Sequence, residues 1–187
     1  RVFLVNRNGI LFGRNAQVDV AGLVASTHDI ANDDFMAGDF RFHIPGRPDA
    51  SVVNEGTISI ADAGLAAFVA PTVRNDGVIQ ARFGKVALAA GEGFTLDLYG
   101  DQLLEIAVDP ADLAAVSPDG TPVQLLVENS GQIEAHTVLL TARSARQAVD
   151  AVINMDGIAR ATSVSQAGGK IVLGGGNEQI SVAGTLD

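Results

Sequence analysis

VVNEGTISIA, at residues 52–61, is repeated with variations at residues 72–81 (TVRNDGVIQA) and 126–135 (LVENSGQIEA). The copies share Asn, a polar residue, Gly, any residue and then an apolar residue. A fourth copy, VINMDGIARA at residues 152–161, has one extra residue before its Gly, and SVAGTLD at residues 181–187 resembles the start of a fifth. The repeated glycines are spaced by 21, 54, 26 and 27 residues, and they are Gly56, Gly77, Gly131, Gly157 and Gly184.

Within each copy, apolar and polar residues alternate. Ile58 and Ile60, for example, are separated by Ser59, and a period of two is typical of a strand with one buried face. Short strands repeated every 20 to 30 residues or so indicate a solenoid. The spine of leucine-rich repeats is absent, and one Tyr with no Trp argues against a propeller. We therefore predict an all-β fold, a right-handed parallel β-helix, with an extra-helical β-hairpin and a short helix inserted into it.

The Asn and Gly positions of the repeat are predicted to be structural corners of the coils. Corners require a positive φ or hydrogen bonds from a side chain to the backbone, which Gly and Asn provide. The predicted corner residues are Asn54, Gly56, Asn75, Gly77, Asn129, Gly131, Asn154 and Gly157.

The spacing also predicts the domain organisation. We expect residues 1–187 to form a single β-helix domain with extra-helical excursions near residues 27–50 and 95–122. The second excursion combines a hairpin over residues 95–108 with a short helix near residues 109–116, and it is expected to cover a sheet face or edge. Because the chain starts in mid-pattern, we expect an N-terminal cap and a C-terminal continuation outside it.

Composition excludes several classes of function. The net charge of -10, without a Lys/Arg cluster, disfavours nucleic acid and anionic membranes as partners. The chain has no cysteine, so disulfides, thiolate metal sites and Cys nucleophiles are excluded. The sequence contains no run of eighteen apolar residues, so it predicts no membrane-spanning helix. We also expect no cofactor and no small-molecule substrate.

Three short motifs invite a chemical interpretation that we do not adopt. Ser26, His28 and Asp29 lie in one strand-like segment, where neighbouring side chains point to opposite faces and do not converge as a triad. The acidic residues of 32–34 lack the spacing of a calcium loop, and the glycines at 174–176 lack the Lys-Ser/Thr of a phosphate loop. We therefore predict no catalytic residue, no metal site and no enzymatic activity.

The segment VFLVNRNGILFGRNAQVDVAGLVAST, residues 2–27, resembles the N-terminal secretion domain of two-partner secretion exoproteins, the filamentous haemagglutinin-type family. That family has an apolar strand, Asn-Pro-Asn-Gly-Ile, and a second strand that ends in Ala-Ser-Thr. The resemblance makes four residues the candidate secretion motif, namely Asn6, Asn8, Gly9 and Ile10. Arg7 stands where the family has Pro, so the turn is expected to form with less rigidity.

The resemblance implies a partner and a location. The partner is an outer-membrane β-barrel transporter with periplasmic recognition domains. The exoprotein, typically a large adhesin, passes through the periplasm of a Gram-negative bacterium, and this domain nucleates β-helix folding outside the cell. The exoprotein is then either released or held at the cell surface, where its downstream regions contact a host cell or another bacterium.

Two alternatives stay open at this point. One is a passive adhesive β-helix stalk segment without a secretion role. The other is a polysaccharide-active enzyme, since some enzymes of that class are also parallel β-helices. Such an enzyme needs acidic side chains grouped on stacked coils, whereas Asp97, Asp101 and Glu105 fall in the second excursion.

Overall fold

The computed structural model describes residues 1–91, 93–96, 125–142, 151–161, 170–174 and 180–187. Short strands dominate these residues, and the one described helix, α1, spans Asn32–Ala37. No helix within the described ranges is long and apolar enough to cross a membrane. The strands in chain order are β1 (Val2–Val5), β2 (Ile10–Phe12), β3 (Gln17–Val20), β4 (Leu23–Ser26), β5 (Arg41–Phe42), β6 (Ser51–Asn54), β7 (Thr57–Ile60), β8 (Leu65–Ala70), β9 (Thr72–Asn75), β10 (Val78–Ala90), β11 (Phe94–Thr95), β12 (Leu125–Asn129), β13 (Gln132–Ala142), β14 (Ala151–Met155), β15 (Ile158–Ala161), β16 (Lys170–Gly174), β17 (Ile180–Val182) and β18 (Thr185–Leu186).

The strands stack in parallel on three faces. Face A consists of β2, β6, β9, β12, β14 and β17 in spatial order. Face B consists of β3, β7, the first part of β10, the first part of β13, β15 and β18. Face C consists of β1, β4, β8, the second part of β10, the second part of β13 and β16. The chain passes from A to B to C in each coil, which confirms the predicted parallel β-helix.

Columns of identical or similar side chains fill the interior. Ile58, Ile79 and Ile133 lie in register on face B and are fully buried. Val52, Val73 and Val127 form the corresponding column on face A. Burial of each such side chain contributes about 1.5–3 kcal/mol relative to exposure. The alternation in the sequence therefore becomes one continuous core along the axis.

The corner between faces A and B is built from the Asn-x-Gly copies. Asn54 Nδ2 donates to Asn75 Oδ1 at 2.8 Å, and Asn75 Nδ2 donates to Asn129 Oδ1 at 2.7 Å. The Asn54 side chain also accepts a hydrogen bond from the Gly56 amide at 3.1 Å. The result is a buried amide ladder that runs through three coils and fixes their register.

The fourth copy departs from the prediction by one position. Asn129 pairs with Met155, and Glu128 pairs with Asn154. Met155 is buried, and Asn129 Nδ2 lies 3.3 Å from its sulfur. Met155 rather than Asn154 therefore holds the corner position and ends the ladder, because the corner is counted back from Gly157.

The central strands of face C are buried on both of their sides. All described residues of β4 and β8 are buried, as expected for the apolar runs LVAS and LAAFVA. The outer side of face C packs against Phe42 and Phe94, whose rings stack at 4.4 Å, and β5 pairs antiparallel with β11. Residues 93–96 and the excursion near 27–50 thus cover this face.

The predicted second excursion is described only at its start. Thr95 belongs to β11 and pairs with Arg41 of the first excursion. The rest of the predicted hairpin and the helix near residues 109–116 lie outside the described residues.

Candidate functional site: the turn at residues 6–9

The candidate secretion motif lies at the corner between faces C and A. In the first coil this corner is the turn at residues 6–9, between β1 and β2. In later coils the strands on either side of this corner are joined by as little as Pro71 alone or by segments as long as 27–50 and 91–124. The corner between A and B, by contrast, keeps two residues between strands from β6 onward. The described insertion 27–50 therefore lies at the same corner as the motif, one coil further along the chain.

The turn is closed by its own polar groups. The Gly9 amide donates to the Asn6 carbonyl at 3.1 Å, and the Asn8 amide donates to Asn6 Oδ1 at 3.0 Å. The Asn6 amide in turn donates to the Ser26 carbonyl of the next coil at 3.0 Å. Gly9 has φ +117, and a Cβ there would lie 3.1 Å from the Ser51 carbonyl oxygen. Only glycine adopts this conformation without strain at such a close approach.

The four motif residues divide into two pairs. Ile10 is buried in the core, and Gly9 makes the close backbone approach described above. Asn6 and Asn8 are exposed. The first pair is thus required by the fold, whereas the second pair presents amide groups to solvent.

Arg7, the departure from the family pattern, connects the turn to the excursion near 27–50. Its Nε donates to the Pro45 carbonyl at 3.1 Å, and its carbonyl accepts from the Arg47 amide at 2.9 Å. Gly46 permits this approach, since a Cβ there would lie 2.3 Å from the Thr27 carbonyl oxygen. We call residues 45–47 with Arg7 the clasp. A proline at position 7 has no side-chain donor, so Arg7 adds a contact that the family residue cannot make.

The clasp was missed by the sequence analysis. Its signal is the dipeptide Pro45–Gly46, a typical turn marker. Arg47 also pairs with Asp49 through two hydrogen bonds of 3.0 and 3.1 Å. That hydrogen bond from Arg47 lowers the pKa of Asp49.

Ser26, His28 and Asp29 do not converge. Ser26 Oγ bonds both the amide and the carbonyl of His28, each at 2.9 Å, and Asp29 Oδ1 accepts from the Ile30 amide at 2.9 Å. The imidazole is buried, which lowers the pKa of His28 to about 4, and its Nδ1 has no hydrogen-bond partner among the described residues. These side chains bond to the main chain where the excursion near 27–50 begins, and they do not form a triad.

The acidic residues at 32–34 are helical. Asn32 begins α1, and Asp33 and Asp34 lie in its first turn, where the helix dipole favours negative charge. The described residues contain no group of three or more carboxylates and histidines placed to hold a metal ion. Gly174 ends β16, while the two following glycines and the carboxylates near residues 97–105 lie outside the described residues.

The chain matches known proteins over its full length. Residues 1–187 match the family model described as the TPS secretion domain, where TPS denotes two-partner secretion. A heme/hemopexin-binding protein of Haemophilus influenzae is 30% identical over 187 residues, which cover 97% of this chain and 19% of that protein. A second heme/hemopexin-binding protein of this organism is 28% identical over 202 residues, covering 97% of this chain and 20% of that protein. The chain thus spans about a fifth of these relatives.

A solved structure gives the same result. The crystal structure of the HMW1 secretion domain from Haemophilus influenzae superposes with a TM-score of 0.73 at 26% identity, over 98% of this chain and 45% of that one. The parallel coils and the full-length family match lead to one conclusion. The chain belongs to the TPS secretion domain family, whose exoproteins are secreted across the outer membrane of Gram-negative bacteria.

Proposed function

We propose that this chain directs its exoprotein to a cognate outer-membrane β-barrel transporter, and that Asn6 and Asn8 make the specific contacts with the transporter's periplasmic recognition domains. The observation that carries the proposal is the exposure of both amide side chains. The fold gains little from them, because the corner at Pro71 makes the same connection between faces without an Asn.

Recognition is proposed to precede closure of the first coil. In the folded turn, the carbonyl and Oδ1 of Asn6 are occupied by the amides of Gly9 and Asn8. The clasp occupies the Arg7 carbonyl as well. In an extended chain these acceptors and donors are all open to a partner. Folding then occupies the two Asn6 acceptors and the Arg7 carbonyl, so it weakens recognition and favours release to the outside.

After release, this domain is proposed to nucleate the β-helix of a large adhesin. Each coil pairs only with its neighbours, so a solenoid can grow coil by coil from a folded end. The buried Asn ladder supplies the register for that growth. Contacts with a host cell or bacterial surface are proposed for regions beyond this chain, which spans about a fifth of its relatives. We propose no catalytic role for the domain.

An export assay tests the recognition step. The double variant Asn6→Ala, Asn8→Ala is expressed with the cognate transporter, and protein in the culture supernatant is compared with protein in the periplasm. Loss of two side-chain partners at about 1 kcal/mol each predicts a roughly tenfold or larger fall in export. Asn15→Ala is the matched control, since Asn15 is an exposed Asn at another corner.

The result separates the candidate functions. Thermal unfolding of Asn15→Ala should match that of the wild type. The double variant should lose no more than about 1 kcal/mol, because the hydrogen bond it removes, from the Asn8 amide to Asn6 Oδ1, is exposed to solvent. An export defect in a folded double variant is then assigned to recognition. Export of the double variant at the wild-type level would contradict the proposal and favour a passive stalk segment.

A further inference from the structure

A groove of about 320 Å³ lies on the outer side of face B, at the corner between faces B and C and not at the C-to-A corner of the secretion motif. Its lining is mostly polar and comes from three successive coils. The lining residues are Ser59, Ile60, Asp62, Gln80, Arg82 and Glu134.

The groove exists because one corner changes size between coils. Ser59, Gln80 and Glu134 lie in register on neighbouring strands. At the following corner, residues 82–84 of β10 oppose the single residue His136 of β13, and the pairing shifts between Ala81 and Lys85. The corner therefore bulges outward beside Gln80 and recedes beside Glu134, which leaves the recess. Bulges of this kind often re-aim side chains at functional sites.

The bulge carries unusual backbone strain. Ala63 and Phe83, with φ 59 and φ 57, are the two positive-φ residues other than glycine in the described part of the chain. They occupy this corner in adjacent coils, where the Ala63 amide donates to the Arg82 carbonyl at 3.2 Å. A bulky residue in the left-handed region is a true outlier.

Core packing does not account for Phe83. Its side chain is 39% exposed and lies outside both apolar clusters of the described residues. Its one described ring contact is with the Arg82 guanidinium, at 5.5 Å from the ring centroid. Phe83 does not line the groove itself but directly follows Arg82, which does. Strain at an exposed aromatic residue next to a lining residue indicates binding, because strained backbone clusters at ligand sites.

The side chains define the ligand chemistry. The Arg82 guanidinium donates two hydrogen bonds to the Asp62 carboxylate, of 3.1 and 3.4 Å, and both side chains remain more than half exposed. With Gln80, Ser59 and Glu134 they offer closely spaced donors and acceptors, which suit neighbouring hydroxyl groups. Two carboxylates against one guanidinium, on a chain of net charge -10, disfavour an anion.

We propose that this groove binds a neutral carbohydrate. Phe83 stacks on the apolar face of a sugar ring, and the polar column of face B holds the ring hydroxyls. The site lies on a protein that leaves the cell, so it faces the space where surface glycans occur. It does not depend on how Asn6 and Asn8 act, and it gives the domain a binding role of its own.

The test uses the full chain on an array of neutral and sialylated oligosaccharides, followed by calorimetric titration of each neutral sugar that binds. The key variant is Phe83→Gly, which removes the ring and relieves the positive φ. Ala63→Gly is the matched control, since it relieves the same strain one coil away and leaves the ring in place.

We expect Phe83→Gly to weaken binding by about tenfold or more, with thermal stability equal to or above that of the wild type. Ala63→Gly should bind like the wild type. Absence of any neutral ligand with a dissociation constant below about 1 mM would overturn the proposal. Binding confined to sialylated glycans, or equal binding by Phe83→Gly, would overturn it too.

Discussion

The two corners that flank face A differ in almost every respect. At the A-to-B corner the backbone stacks on itself, and a Cβ on Gly77 or Gly131 would lie 2.1 Å from the glycine carbonyl of the preceding coil. At the C-to-A corner the connection ranges from the single residue Pro71 to the segment 91–124. From β6 onward the first corner holds the coils in register and keeps two residues in every coil. The second is free to vary, and the family motif lies there.

The strongest test of this comparison adds one methyl group to a stacked A-to-B corner and one to the wider A-to-B corner of the first coil, residues 13–16. Gly77→Ala should destabilise the chain by more than about 3 kcal/mol, or prevent folding, because the new Cβ meets backbone that cannot move aside. Gly13→Ala, where a Cβ would meet nothing within 4 Å, should stay within about 0.5 kcal/mol of the wild type. Urea unfolding followed by circular dichroism measures both. A mild effect at Gly77 would mean that the backbone of neighbouring coils can move apart at this corner.

A second test compares asparagines. Asn75→Ala removes the side-chain partner of Asn54 Nδ2 and of Asn129 Oδ1, both of which are buried. The free energy of unfolding is expected to fall by about 2–4 kcal/mol. Asn8→Ala removes an exposed side chain and should change the free energy of unfolding by less than about 0.5 kcal/mol. The same urea experiment measures both variants. Equal losses would show that the turn at residues 6–9 is as structural as the ladder.

The A-to-B corner was predictable because its physics is local and repeated. Asn54 and Gly56 must solve the same backbone problem in every coil, so their pattern recurs in the sequence. Asn154 shows the limit of that logic. Pattern matching selects Asn154 because it is an Asn. The position of the corner is set by Gly157, however, and the residue two positions before it, Met155, pairs with Asn129.

The C-to-A corner was less predictable for the opposite reason. The pairing of Phe42 with Phe94 joins residues that are far apart in the chain, and no sequence repeat predicts it. The clasp was likewise hard to predict, because Pro45–Gly46 indicates a turn but does not indicate that Arg7 is its partner. The motif itself came from family resemblance, because an Asn-Gly turn alone indicates only a corner.

The smallest predicted effect sharpens the contrast between the buried polar groups of the two corners. The ladder amides are bonded to each other, whereas His28, at the base of the excursion near 27–50, is buried with Nδ1 unpaired among the described residues. Burial lowers the pKa of His28 from 6.5 to about 4. Between these values the unfolded chain binds a proton that the folded chain does not. Folding stability therefore falls as pH decreases through this window.

From pH 6.5 to pH 5, His28 should cost the wild type about 1.5 kcal/mol of unfolding free energy. His28→Leu removes that contribution, so its stability should decline less steeply over the same interval, while above pH 7.5 the two curves run parallel. Slopes rather than absolute values are compared, since the substitution alters packing as well. Identical slopes from pH 6.5 to 5 would place the imidazole in contact with water, and the variable corner would then be open down to its base.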